Sequence, residues 1–586
     1  MRLSLARRSV RTSAIVRRLS TVVLALSVSA ACSTLPWRPD SKATAPVIDG
    51  FGVDGMQPSR ANDAARRLFA QGMDQAYAFN EAEAIRSFKA ALAQDPDCAL
   101  CAWGVAYQMG PNINATERGD LREAVRYLDY ALKHSAGSSA HDRALIDALA
   151  VRYGTGGGTG SGTDRGARAT AAAAIQAETC GAPGAKRADP LDIVYAERMR
   201  QLVARFPGDP DILSIYAEAE LVATRADWWD RRTGQPAGRV GELADMLEDG
   251  LALHPRHVGL NHYMIHTVDA VPVARRAEAA ADRLGALAPK SPHLLHMPSH
   301  TYAQLGRYAD ATRVNQAAVA ADEAMAVELK RQDFSVTKDW RGHNLHFQWY
   351  AALMEGRGDL ALSTARALAL RNKGDNTYAE YMRSLPMLTL LRLERWDALR
   401  QEPLPSGEKG VATVMGQMAS GIALAHAGQR SAAQAAQARL DPAADKLVKE
   451  HPSQGNVDKL IRSLARSAQA QLRAELAWSG QHADEALAQQ QLAVTASYDA
   501  DATEPPTLAS GPGLRLGAMQ LQARRYAAAE QSFRAHLAEH PRNGWALQGL
   551  RQALAAQGKQ AEAQTTEREL ERNWKQADSG LRAAAR

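Results

Sequence analysis

The chain predicts an all-α fold, a solenoid of stacked helix–turn–helix units, on three observations. Alanine and leucine are abundant and β-branched runs are few, a composition that favours helix over strand. One pattern of Gly, Ala, aromatic and Pro recurs at fixed intervals. No segment alternates with the period of two that a half-buried strand needs. At 586 residues the chain is long enough for several compact domains or one long array. A composition 46% hydrophobic with negative mean hydropathy argues against a polytopic membrane protein.

The first element is a leader. Residues 1–31 carry Arg2, Arg7, Arg8, Arg11, Arg17 and Arg18 and no acid, then an apolar run from Thr21 to Ala31. A basic stretch, a short apolar stretch and small residues before a cleavage point make a secretory signal. Cys32 directly after Ser29-Ala30-Ala31 predicts lipidation of Cys32 in a bacterial lipoprotein facing the periplasm. The same residues also satisfy an ordinary small-x-small cleavage site. Residues 32–60 read as a tether.

Residues 61–153 open the repeats. Gly72, Ala84, Phe88, Ala91 and Pro96 match the spacing of the 34-residue tetratricopeptide (TPR) unit. Small residues let two helices approach, and the proline stops the second. Gly517, Ala529, Phe533 and Pro541 repeat the spacing within a C-terminal region, 413–577. Cys98 and Cys101 lie one helical turn apart and could be oxidised, bind metal, or pack beside Trp103; packing is the simplest reading. Residues 154–188, which include Cys180, read as a flexible Gly/Ala-rich insertion.

The central region, 189–399, concentrates histidine. Nine of the sixteen histidines fall between 254 and 346. With units beginning at Val258 and Pro292, His262 and His266 take the fifth and ninth places of one unit. His296 and His300 take the same places of the next. A third unit from Gly342, after a longer connection through 322–340, puts His343 at the second place, matching His293, and His346 at the fifth; Tyr350 stands at the ninth. Residues i and i+4 share a helix face, so each first helix presents a stripe of imidazoles. Three such stripes make a wall. His262, His266, His296, His300, His343 and His346 are therefore candidate ligands for a transition metal such as zinc, copper or iron. Glu218, Asp269, His293 and Tyr350 are candidate groove residues beside them. The same wall could instead bind a polar ligand or peptide, or form a hydrogen-bond network. If one metal is held, ring nitrogens of His262, His296 and His346 should converge within about 3–5 Å. H-Y-x-I-H lacks the Glu of a zinc-protease helix.

Longer stretches carry a resemblance: NHYMIHTVDA (261–270), HLLHMPSHTYAQLGRYADA (293–311), HNLHFQWYAALMEGR (343–357), Glu504-Pro505-Pro506 and NGWALQGL (543–550). They make the chain similar to a bacterial group of TPR proteins with HY-x-IH, HMPSH and HN-x-HF motifs. The resemblance implies a TPR-like α-solenoid with the second, fifth and ninth places of each unit on its concave side. It leaves the activity open, and the 154–188 insertion departs from the group.

Two functions follow from the residues. One is a non-catalytic scaffold that holds a protein or peptide partner in a concave, His-lined groove. The other is a metalloprotein or metalloenzyme built on the histidines; no nucleotide, nucleophile-elbow or calcium-loop motif selects a reaction. Nucleic acid is not an expected partner. The net charge of +6 belongs to the leader, whose removal takes Lys+Arg from 70 to 64 against 64 Asp+Glu.

Overall fold

Gly72 and Phe88 explain the first helical hairpin. Helix Asp63–Tyr77 lies against helix Glu81–Gln94, and a Cβ on Gly72 would stand 2.5 Å from the Phe88 ring. On its other side Phe88 meets Gly104 of the following helix, Ala99–Gln108, at 2.7 Å from a would-be Cβ. The aromatic ring fills the notch that two glycines leave, so three helices close-pack around it. Phe533 sits between Gly517 and Gly549 in the same way near the other end of the chain.

A computed structural model describes residues 37–52, 55–114, 121–155, 188–224, 228–231, 233–509 and 511–581. The leader, Cys32 and all but the edges of the 154–188 insertion, with Cys180, lie outside the described residues. Residues 41–586 form one compact unit.

The described elements are all helical, joined by short turns, apart from an isolated bridge between Trp229 and Pro236. Successive helices pack in antiparallel pairs, each against its sequence neighbour and often against the next but one. The punctuating prolines act as their spacing predicts. Helices Glu81–Gln94, Val240–Leu253, Glu278–Leu287 and Tyr526–Glu539 each end shortly before Pro96, Pro255, Pro289 and Pro541. Side-chain caps start others: Asn62 accepts from Ala65 N–H at 2.9 Å and Ser291 from Leu294 N–H at 3.3 Å. No helix among the described residues is long and apolar enough to cross a membrane.

Three local features differ from the sequence reading. Cys98 and Cys101 form a disulfide, where packing as two thiols was the simpler expectation. The connection assigned to 322–340 is helical as far as Arg331, continuing the 24-residue helix Tyr308–Arg331. The first helix of the second histidine unit is broken into Pro292–His296 and Pro298–Gln304. Pro298 has no N–H to offer the preceding turn, so the helix divides between His296 and His300.

Candidate metal centre

Helix Val258–Thr267 carries the first two histidines one turn apart, and Pro292–His296 supplies the third. His262 Nδ1 lies 2.6 Å from the Tyr77 carbonyl oxygen. A carbonyl only accepts, so Nδ1 is the protonated nitrogen and Nε2 of the neutral ring carries the lone pair. That Nε2 is 3.1 Å from Nε2 of His266 and 3.1 Å from Nε2 of His293. One imidazole nitrogen has a single in-plane lone pair and cannot accept from both. Two nitrogens bound to one ion at about 2.0–2.1 Å stand ~2.9–3.4 Å apart for right-angle to tetrahedral geometry. His262 Nε2 has that spacing to both neighbours, and the three ligand atoms lie within 4.8 Å of one another.

The second triad is His296, His300 and His343. His296 Nδ1 is 2.7 Å from Asn315 Oδ1, whose amide is oriented by its own N–H bond to the Ala311 carbonyl at 2.8 Å. His300 Nδ1 is 2.7 Å from Asp269 Oδ2. Both Nδ1 atoms donate, so the Nε2 atoms face each other at 3.1 Å, each presenting a lone pair when its ring is neutral. Two lone pairs at that distance repel unless a cation or a proton lies between them. Backbone carbonyl, amide and carboxylate acceptors on the outer nitrogen are the usual supports of metal-ligating histidines. The two triads are adjacent: ring centroids are 6.1 Å apart for His293 and His296 and for His266 and His300.

Aromatic side chains cover the cluster. Phe79 lies 4.5 Å from His262 and 5.2 Å from His293, ring to ring. Trp340 stacks on His293 at 4.2 Å, and Phe347 packs on His296 and His300 at 4.6 and 4.5 Å. Excluding water keeps the rings other than His300 neutral. Burial pushes His262 and His343 down to about 3, and His266, His293 and His296 well below the usual histidine value. His300 goes the other way: burial opposes its charging, but the Asp269 carboxylate outweighs burial and raises it.

A third group extends from the second triad. Asp269, His300 and Glu504 offer ligand atoms within 4.8 Å of one another, and half-exposed Glu504 stands 3.5 Å from His300 Nδ1. They face a cavity of about 290 Å³ whose walls include Trp228, Trp229, Arg231, Tyr350 and His540.

Several expectations change. The histidines do not line an open groove: His262 and His296 are fully buried, and Phe79, Trp340 and Phe347 fill the space a partner would need. His262, His296 and His346 do not converge. His262 and His296 belong to different triads, and His346 belongs to neither; its ring stacks on Trp349 and its Nε2 is 3.4 Å from the Tyr381 hydroxyl. His293, read as a groove residue, takes a ligand's place instead. Asp269 orients His300. Glu218 is buried apart from the histidines, accepting from the Tyr107 hydroxyl at 2.5 Å. Tyr350 reaches His540 Nδ1 at 3.3 Å in the cavity wall. Phe79, Asn315 and Trp340 were not singled out in the sequence, since each comes from outside the repeated histidine motifs. Phe347 and Glu504 lie within conspicuous motifs, HNLHF and EPP, that could have pointed to them.

No known protein family and no curated protein matches the chain. Among solved structures it is similar to yeast Tom70, at 11% identity over 86% of this chain and 91% of that one, with a TM-score of 0.24. It is also similar to the P58(IPK) TPR domain, at 12% identity over 78% and 99%, TM-score 0.20. A third is the APC/C hetero-tetramer Cut9–Hcn1, at 11% over 87% and 94%, TM-score 0.20. These are distant likenesses to TPR proteins. The fold class rests on the helix pairs themselves, and no function passes from these proteins to this chain.

Proposed function

We propose that the chain is a metalloprotein of the bacterial TPR group in which each histidine triad holds one divalent transition-metal ion, of the zinc, copper or iron class. The observation that carries this is the facing pair His296 Nε2 and His300 Nε2. Both rings have committed their other nitrogen to an oxygen acceptor, so both aim Nε2 at one point. Three imidazoles leave a fourth coordination position, as catalytic and transport sites do. The 290 Å³ cavity lies against the other nitrogen of the His300 ring, Nδ1, with Asp269 and Glu504.

The repeat scaffold adds a second role. Arrays of helix pairs offer extended surfaces to protein partners, and the outer faces of the units, not the buried histidines, are the surface proposed here. Export to the cell envelope with a lipid on Cys32 is proposed from the leader. The Cys98–Cys101 disulfide supports it, because disulfides persist in oxidising compartments.

The test is the metal content of the purified protein, measured beside His262→Ala, His296→Ala and the double variant. The expected result is about two equivalents in the wild type, one lost in each single variant, and both in the double. Equal content in all four proteins, or failure of the wild type to take up zinc, copper or iron, would remove the proposal.

A further inference from the structure

A second cavity, of about 340 Å³, lies in the C-terminal half. Helices Thr377–Arg392, Val411–His426, Asn456–Ser479 and Gly511–Gln522 all contribute to its walls. Much of the wall is apolar, formed by Leu388, Met418, Ile422 and Leu514 with the indoles of Trp349 and Trp545. Two arginines reach it. Arg515 is committed: its guanidinium pairs with Glu475 at 2.5 and 2.9 Å, and Glu475 also pairs with His426 at 3.2 Å. Arg392 is not. It lies over the Trp545 ring at 4.4 Å, and its Nε and Nη2 are shielded from solvent without a hydrogen-bond acceptor. Glu394 is in the same wall but accepts from neither nitrogen.

Shielded N–H groups without an acceptor are costly, because they have given up water, and stacking on Trp545 does not replace the lost hydrogen bonds. Burial outweighs the nearby Glu394 and lowers the Arg392 pKa to about 10, which is still charged at neutral pH. A cation in a chamber whose wall mixes apolar side chains with neutral polar ones such as Gln471 and Gln490 selects for an anion with a partly apolar body. Carboxylate matches the planar guanidinium fork. Ligand pockets range over about 300–1,000 Å³, so this one, at the low end, suits a medium-sized acid and not a long-chain lipid.

We propose that this cavity binds a medium-sized organic acid, with its carboxylate on Arg392 and its aliphatic or aromatic body between Leu388, Met418, Ile422 and Leu514. The site is independent of the histidine centre.

The test is titration of the purified full chain with octanoate and with phenylpropanoate, followed by tryptophan fluorescence and calorimetry. Trp349, Trp396 and Trp545 in the wall provide the optical signal. The uncharged octanamide and the truncated acetate are the comparison probes. At least one of the two acids should bind saturably. Octanamide and acetate should each bind about 10–100-fold more weakly than octanoate. Arg392→Gln should lose the same factor for the acids and leave octanamide unchanged. Ala518→Phe, which fills the cavity without touching a charge, should abolish binding of all probes. The proposal is overturned if neither acid binds, if octanamide or acetate equals octanoate, or if Ala518→Phe binds like the wild type. The octanamide comparison uses wild-type protein, so it stands even where Arg392→Gln fails to fold.

Discussion

Asp269→Asn is the sharpest probe of the histidine centre, because it changes one atom outside the proposed ligands. Asp269 Oδ2 accepts from His300 Nδ1 at 2.7 Å, holding the ring in the tautomer that aims Nε2 inward. An amide at this position removes the charge and can present N–H to the imidazole, which favours the opposite tautomer. Loss of such a supporting acceptor typically weakens metal binding 10–100-fold, or about 1.4–2.7 kcal/mol. The effect should fall on one ion only. The first triad is supported by the Tyr77 carbonyl on His262, which Asp269 does not touch. Competition against a chromophoric chelator should therefore show two equivalents in the wild type. In the variant one should be released 10–100-fold more readily while the other is unchanged. Unaltered release of both ions from a normally folded variant would refute the support argument; equal weakening of both would refute two separate sites.

Other outcomes follow from the packing and the charges. Phe79→Ala should uncover the first triad and speed metal loss to a chelator, at a stability cost of about 3–5 kcal/mol for the lost ring; an unchanged release rate would show that the ring does not seal the site. Gly72→Val should destabilise by roughly 1–3 kcal/mol through collision with Phe88, and a thermal melt matching the wild type would contradict that packing. His141 is held up at about 9, first by its bond to Asp142 and then by Asp209. Its raised pKa makes the protonated ring stabilising. The contribution is complete below about pH 6.5 and is lost as pH rises through 9, amounting to at most about 3 kcal/mol. Urea melts at pH 6 and 10 should therefore differ more in the wild type than in His141→Gln, and parallel losses would exclude this pair as the cause.

Much of the fold was legible because its determinants are local. Gly72 with Phe88 and Gly517 with Phe533 are spaced by a fixed number of helical turns, and Pro96 or Pro541 ends the second helix whatever surrounds it. The histidine centre was legible as a concentration but not as a coordination set. Register put His343 and His346 on equal terms. In the structure the second place faces His296 and the fifth faces Tyr381, a choice made by how helix Arg341–Met354 is rotated against its neighbours. Small rotations decide which stripe of a helix meets which, and they depend on side-chain volumes across the whole contact.

By itself the sequence determined an all-helical repeat array, the places of its turns, and a band of imidazoles with 34-residue register. Periodicity and backbone chemistry act over one or two turns and need no distant partner. Only the tertiary structure decided that the band divides into two triads, that His293 joins one, and that aromatic rings seal them from water. It also decided that Asp269, Asn315 and the Tyr77 carbonyl orient the rings. The Tyr77 carbonyl lies 185 residues from His262 along the chain. Packing brings such groups together by excluding water and filling volume, and no local pattern records which distant residues will meet.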